Sequence, residues 1–164
     1  MKKITFVLIA LFTGTAFGQE EANATANVNA EIVSPITIVS DGTALDFGTI
    51  NGTATGGDVS VDINGNRTFT NTAMKVTSAV TPSAATFKIT AANEYLYSIS
   101  IPDITLTGDG SPMNVSFVHN RNSTTGKTGS GSQQPLYVGG TLTVNDNQTA
   151  GSYTGEVEVT VAYE

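Results

Sequence analysis

The sequence predicts an all-β protein, an antiparallel β-sandwich, on three observations. Apolar and polar residues alternate with period two over many short stretches. Asn-Gly, Asp-Gly and Gly-Gly pairs punctuate those stretches at regular spacing. No stretch carries the periodicity of an amphipathic helix. Some ten short strands spaced in this way favour a sandwich over a barrel. The clearest is the last, Gly151 to Glu164, where Tyr153, Gly155, Val157, Val159, Val161 and Tyr163 take one side and Ser152, Thr154, Glu156, Glu158, Thr160 and Glu164 the other. A ribbon with one apolar and one charged face is not stable alone, so it requires a sheet beside it and a second sheet beneath it.

Residues 1–18 read as a bacterial-type signal peptide. Met1-Lys2-Lys3 precedes the apolar run Ile4 to Phe12 and the small-residue site Ala16-Phe17-Gly18, which places cleavage before Gln19. That run is well short of the roughly 20 residues a bilayer crossing needs, so no membrane span is expected. No Cys follows it to take a lipid. The remaining chain suits a single domain: an N-terminal strand at 19–31, able to pair in cis or exchange, and a sandwich at 32–164. With no Cys anywhere, stability has to come from burial and hydrogen bonding. The net charge is −7, and −9 once Lys2 and Lys3 are removed, and the remaining Arg67, Lys75, Lys88, Arg121 and Lys127 are scattered. Nucleic acid is excluded as a partner on that ground, since backbone binding needs clustered cations.

Taken in order, Glu20 to Ile32 alternates Ala22, Ala24, Ala26, Val28, Ala30 and Ile32 with polar residues, a second amphipathic strand whose Ala-rich face gains little from burial. Pro35 restricts Ile32 to Val39 to an edge or a strand start. Leu45 to Ile50 reads as a short strand closed by Asn51-Gly52. Asp58 to Ile63 turns Val59, Val61 and Ile63 inward and ends at Asn64-Gly65, a two-residue hairpin signal. Arg67 to Thr70 and Met74 to Val80 continue as short strands. Ala85 to Ala91 and Tyr95 to Ile101 look like partners across one sheet. Ile104 to Leu106 and Met113 to His119 flank the turn Asp109-Gly110, Asn120 to Gln134 is a long polar loop, and Leu136 to Val144 is interrupted at Gly139-Gly140, the mark of a bulge or a close backbone approach.

Leu45-Asp46-Phe47-Gly48-Thr49-Ile50, Tyr137-Val138-Gly139-Gly140-Thr141-Leu142 and the closing Gly151-x-Tyr153-x-Gly155 with Val157, Val159 and Tyr163 together resemble the secreted bacterial family called domain of unknown function 4402. Such domains are similar in turn to pilus-subunit and spore-coat-type sandwiches, whose final strand also ends on a penultimate Tyr. The resemblance implies an immunoglobulin-like fold and a structural or adhesive role. It supplies no catalytic residues.

The chain is poor in groups that do chemistry. A Cys/His zinc site cannot be built, and a Ser-His-Asp arrangement has only His119 to draw on, an imidazole expected at an exposed strand end. Glu156 and Glu158 share a strand face, as paired carboxylates for glycoside hydrolysis must, but a solvated face explains them better. Asp62-Ile63-Asn64-Gly65-Asn66 lacks the closing Glu of a calcium loop and fits hairpin chemistry. A calcium site shared by Asp41, Asp109 and Asp146 at one end of a sandwich stays open. Asn-x-Ser/Thr triplets at Asn23, Asn51, Asn66, Asn114, Asn122 and Asn147 follow from composition. Tyr95, Tyr97, Tyr137, Tyr153 and Tyr163 suit sheet packing better than a sugar platform.

No catalytic, cofactor-binding or metal-binding residue is therefore assigned, and no cofactor. The expectation is a non-enzymatic structural or adhesive protein, secreted to the cell surface, the medium or the periplasm. It would assemble with itself by strand addition, in the manner of a fibre or pilus subunit, or bind a cell-surface glycan or protein. The alternative is a ligand-binding module that takes glycan on the Asn120 to Gln134 loop.

Overall fold

The computed structural model describes residues 21–121 and 126–164. The export segment 1–18 and Asn122 lie outside the described residues. Every strand falls within one compact unit, Val33–Glu164. Residues 21–32 form no strand, and all of them are exposed, Val28 at 94% and Ile32 at 96%. The N-terminal strand expected at 19–31 is therefore not formed across the residues described. Its apolar side is mostly Ala, and burying a methyl group returns too little to offset ordering the backbone.

The compact unit is an all-β antiparallel sandwich. Its strands are β1 (Thr37–Ser40), β2 (Gly57–Val61), β3 (Arg67–Phe69), β4 (Ala85–Thr90), β5 (Leu96–Ser100), β6 (Ile104–Gly108), β7 (Met113–His119), β8 (Lys127–Thr128), β9 (Gln133–Val144), β10 (Tyr153–Thr154) and β11 (Thr160–Tyr163). The larger sheet runs β1-β4-β9-β7-β6-β10, and the smaller runs β11-β5-β8. Pro35 lies just ahead of β1, which is an edge strand.

The long strand β9 organises the larger sheet. One of its sides carries β7. The other carries β4 opposite residues 133–138 and β2 opposite residues 140–144. The partner changes at Gly139-Gly140, and both residues are buried. A Cβ on Gly139 would run into the Val61 carbonyl oxygen, and one on Gly140 would meet the Ser116 carbonyl oxygen at 2.9 Å. The Gly pair is thus a close backbone approach where two strands take turns against one.

Several expected elements change. Between β2 and β3 the turn is longer than a two-residue hairpin: the Gly65 amide donates to the Asp62 carbonyl at 3.0 Å, and only Gly65, at φ +82°, enters the left-handed region. The Asp62 carboxylate closes this turn by accepting from the Asn64 and Asn66 amides, each at 2.8 Å. Met74 ends a 3₁₀ turn, Thr72–Met74, instead of opening a strand, because Asn71 caps the turn and Met74 is fully buried. Strands β4 and β5 do not pair; they lie in opposite sheets, and the chain crosses between them through Glu94 at φ +67°.

Two core clusters result. In one, Ile89, Leu136 and Val138 of the larger sheet meet Tyr97 and Ile99 of the smaller, with Val159, Val161 and Tyr163 packed alongside. This is the sandwich proper. In the other, Val59, Val61, Met113, Val115, Leu142 and Val144 of the larger sheet meet Phe47, Met74, Leu45 and Ile50, none of which belongs to a strand. The smaller sheet covers only half of the larger one.

Candidate functional site

The half that the smaller sheet does not cover is bordered by two stretches that the sequence pattern writes as strands. The first is Leu45 to Ile50. Gly48 is left-handed at φ +67°, and its amide donates to the Asp46 carboxylate at 2.7 Å, so the ribbon breaks at Asp46-Phe47-Gly48. Only one bridge survives, Asp46 opposite Ser83. Arg67 then holds the broken ribbon in place. Its Nη1 donates to the Phe47 carbonyl at 2.7 Å and the Thr49 carbonyl at 2.8 Å, its Nη2 donates to the Val76 carbonyl at 3.2 Å, and its guanidinium stacks 4.8 Å from the Phe69 ring. The spacing Asp46-x-Gly48 was the available signal for this turn.

The second border is the closing strand. Its alternation survives in the burial, with Val157, Val159, Val161 and Tyr163 half-buried between exposed neighbours. Its pairing does not. Tyr153 and Thr154 pair with β6 of the larger sheet, Thr160 to Tyr163 pair with β5 of the smaller sheet, and residues 155–159 cross between the two outside any ladder. Gly155 sits in this crossing because a Cβ there would approach Leu106 Cδ2 to 2.8 Å and Ile104 Cδ1 to 3.2 Å.

Between the two borders lies an open cleft of about 1370 Å³. Met113, Val115, Leu142 and Val144 form its buried floor, while Leu45, Ile50, Ile104, Leu106, Tyr153 and Val157 line it half-exposed. The floor is apolar, and the backbone at one wall has unused ladder positions.

The residues weighed for chemistry are dispersed. His119 ends β7 half-buried instead of exposed, and its Nδ1 accepts from the Arg121 amide at 3.2 Å. Burial first, then the Lys127 and Arg121 charges, hold its pKa below the usual histidine value. Arg121 lies 5.9 Å from the ring of Tyr97, whose hydroxyl burial pushes up in pKa. Glu156 and Glu158 are exposed. Asp41 pairs with Lys88, Asp109 accepts from the Ser152 amide at 3.0 Å, and among the described residues no three His, Asp or Glu gather into a metal-holding group. The hydrogen bonds from Asn66 and Asn64 hold the Asp62 carboxyl below its ordinary pKa, as a turn cap requires. Tyr97 is buried, Tyr137 lies on the outer side of the larger sheet, and Tyr95 meets Tyr163 edge-on at 6.1 Å, so the five tyrosines do not form one platform. The Asn120 to Gln134 stretch is not wholly loop, since it contains β8 and the start of β9.

Fold and site together define an antiparallel β-sandwich whose smaller sheet leaves an apolar cleft open. The chain belongs to the family described as domain of unknown function DUF4402, which matches residues 36–163. No curated protein and no solved structure matches it. Among the described residues, no helix is long and apolar enough to cross a membrane.

Proposed function

We propose that this is an exported, non-catalytic structural protein of the bacterial surface that assembles with its own kind by strand addition. The observation that carries the reading is the half of the larger sheet faced by no strand, with its apolar cleft beside residues 155–159. The half-exposed lining, Leu45, Ile50, Ile104, Leu106, Tyr153 and Val157, gains by being covered, each by a fraction of the roughly 1.5–3 kcal/mol that burying a fully exposed Val or Leu contributes. Residues 21–32 are exposed and keep a strand's alternation, and on this reading main-chain pairing with a neighbour's sheet supplies the stability that their Ala-rich side does not. The lone imidazole, faced by Arg121 and Lys127, favours a structural role over a catalytic one, since a general base is ordinarily oriented by a carboxylate or a similar acceptor. The signal-like pattern of residues 1–18 supports a place outside the cytoplasm.

Sedimentation velocity of the mature chain, residues 19–164, against the chain lacking residues 19–31 tests this. Self-association that disappears with the segment is the expected result. A compact monomer in both samples, across the accessible concentration range, removes the assembly reading.

A further inference from the structure

Arg121 and Lys127 sit at one edge of the smaller sheet, and both turn into the sandwich. Lys127 of β8 lies opposite the buried Tyr97 of β5. Residues directly opposite one another in a ladder share a side of the sheet, so Lys127 faces inward, towards the larger sheet. His119 of β7 lies opposite the buried Val138 of β9 and continues the inward row of Met113, Val115 and Phe117. Two residues on, Arg121 reaches over Tyr97, with its guanidinium carbon 5.9 Å from the ring centre. The Lys127 and Arg121 charges both act on the His119 imidazole, so the three groups share one neighbourhood.

These groups offer donors and no acceptor. The His119 Nδ1 accepts from the Arg121 amide at 3.2 Å, which leaves the proton of the neutral imidazole on Nε2. Guanidinium, ammonium and Nε2–H all donate, so together they suit an anion and not a cation. No carboxylate answers them. The Arg121 Nε is buried and has no hydrogen-bond partner. Among the described residues the one ion pair joins Lys88 to Asp41, although the chain carries 14 acidic residues against 7 basic ones. Glu164 reaches this end of the smaller sheet, but its amide bonds to the carbonyl of the outward-facing Leu96, and its Oε1 accepts from the Gly126 amide at 2.6 Å. A buried donor without an acceptor is costly, and two like charges held together add to that cost. An oxyanion relieves both, since a guanidinium forks two oxygens and an ammonium adds a point charge. We infer that Arg121, Lys127 and His119 form a binding site for an oxyanion, a carboxylate, sulfate or phosphate group, entered at the sandwich edge where β8 ends the smaller sheet. All three side chains are half-buried, so the site is reached from solvent. None of them lines the apolar cleft, so the site stands independently of the assembly proposed above.

His119 is the only histidine of the chain, so a single imidazole resonance in NMR reports on the site. The mature chain is titrated at one pH and constant ionic strength, balanced with chloride, using sulfate, phosphate and glucuronate, with neutral glucose as the control. The His119 resonance should shift saturably with at least one of the three oxyanions and not with glucose. Arg121→Gln and Lys127→Gln should each weaken that binding about tenfold or more. Arg121→Lys, which keeps the charge and loses the fork, should fall between wild type and Arg121→Gln. Lys75→Gln, at an exposed residue outside the group, should change nothing. Lys127→Gln, on an edge strand, keeps the test available where Arg121→Gln loosens the packing on Tyr97. Saturation by sulfate or phosphate with glucuronate silent assigns a free inorganic ion; saturation by glucuronate assigns the carboxylate of an acidic sugar. No saturation by any of the three, equal saturation by glucose, or binding that survives both Arg121→Gln and Lys127→Gln would overturn the inference.

Discussion

Tyr163 and Ser34 are 129 residues apart in the chain and joined by a hydrogen bond of 2.9 Å, from the tyrosine hydroxyl to the serine carbonyl. The same hydroxyl accepts from the Ala92 amide at 2.7 Å. One phenol thus ties the end of the last strand to the entry of the first and to the crossover between the sheets. Tyr163→Phe keeps the ring and removes both bonds. It should lower unfolding free energy by ~1–3 kcal/mol, because a part-buried amide is left without a partner. Urea denaturation of the two proteins, with unchanged slope, checks this.

Arg67 is the bracket of the cleft's broken wall. Its planar fork reaches three carbonyls and still stacks on Phe69, whereas a lysine ammonium is a compact point charge on a flexible stem. Arg67→Lys should cost ~1.5–3 kcal/mol. Amide hydrogen exchange should speed up selectively at residues 45–51 and 75–78, with β4 and β9 little changed.

The half-covered sandwich predicts unequal costs for the same substitution. Leu136 is fully buried between the sheets, and Leu136→Ala should cost ~2–5 kcal/mol. Leu106 lines the cleft half-exposed, and Leu106→Ala should cost the isolated chain only about 1–1.5 kcal/mol, roughly half the contribution of a fully buried Leu. Equal losses in thermal or urea unfolding would mean that the cleft is closed in solution.

Gly139 marks where β9 changes partners. A Cβ at this position meets Val61 and Asp62 backbone atoms, which cannot swing aside as a flexible side chain would. Gly139→Ala should destabilise by ~1–3 kcal/mol or more. Thr143→Ala, on the outer side of the same strand, removes only an exposed hydrogen bond to the Asp58 carboxylate and should cost about 0.5–1 kcal/mol. Thermal melts of the two variants separate these outcomes.

His119 gives the pH dependence a sign. Its pKa in the folded chain is depressed, so below the unfolded value near 6.5 the unfolded chain binds a proton that the folded chain does not. The stability this histidine contributes is complete above that pH and is lost as pH falls towards the depressed folded value. Melting temperatures should fall between pH 7.5 and pH 5, and His119→Gln should flatten that part of the profile.

The strand content was legible residue by residue. Val59 and Val61, Met113 and Val115, and Leu136 and Val138 alternate in the sequence and are buried as written. Period-two patterning is a local property, and burial on one side of a ribbon follows from it directly. The family was legible in the same way, from Gly139-Gly140 and the closing Gly-x-Tyr-x-Gly, because those residues answer to backbone contacts that admit no Cβ.

What the sequence left open was which ribbon lies beside which. Ala85 to Ala91 and Tyr95 to Ile101 follow one another and alternate alike, yet they lie in opposite sheets, because Glu94 turns the chain through the left-handed region between them. Leu45 to Ile50 and Gly155 to Val159 carry strand patterns and lie outside the ladders, one broken by its own Asp46-Gly48 turn and the other stretched between two sheets. Alternation says that a ribbon has an apolar side; it does not say whether another ribbon covers it. That depends on contacts between residues far apart in the chain, and so the open cleft, with Phe47 and Val157 at its borders, was decided by the tertiary structure alone.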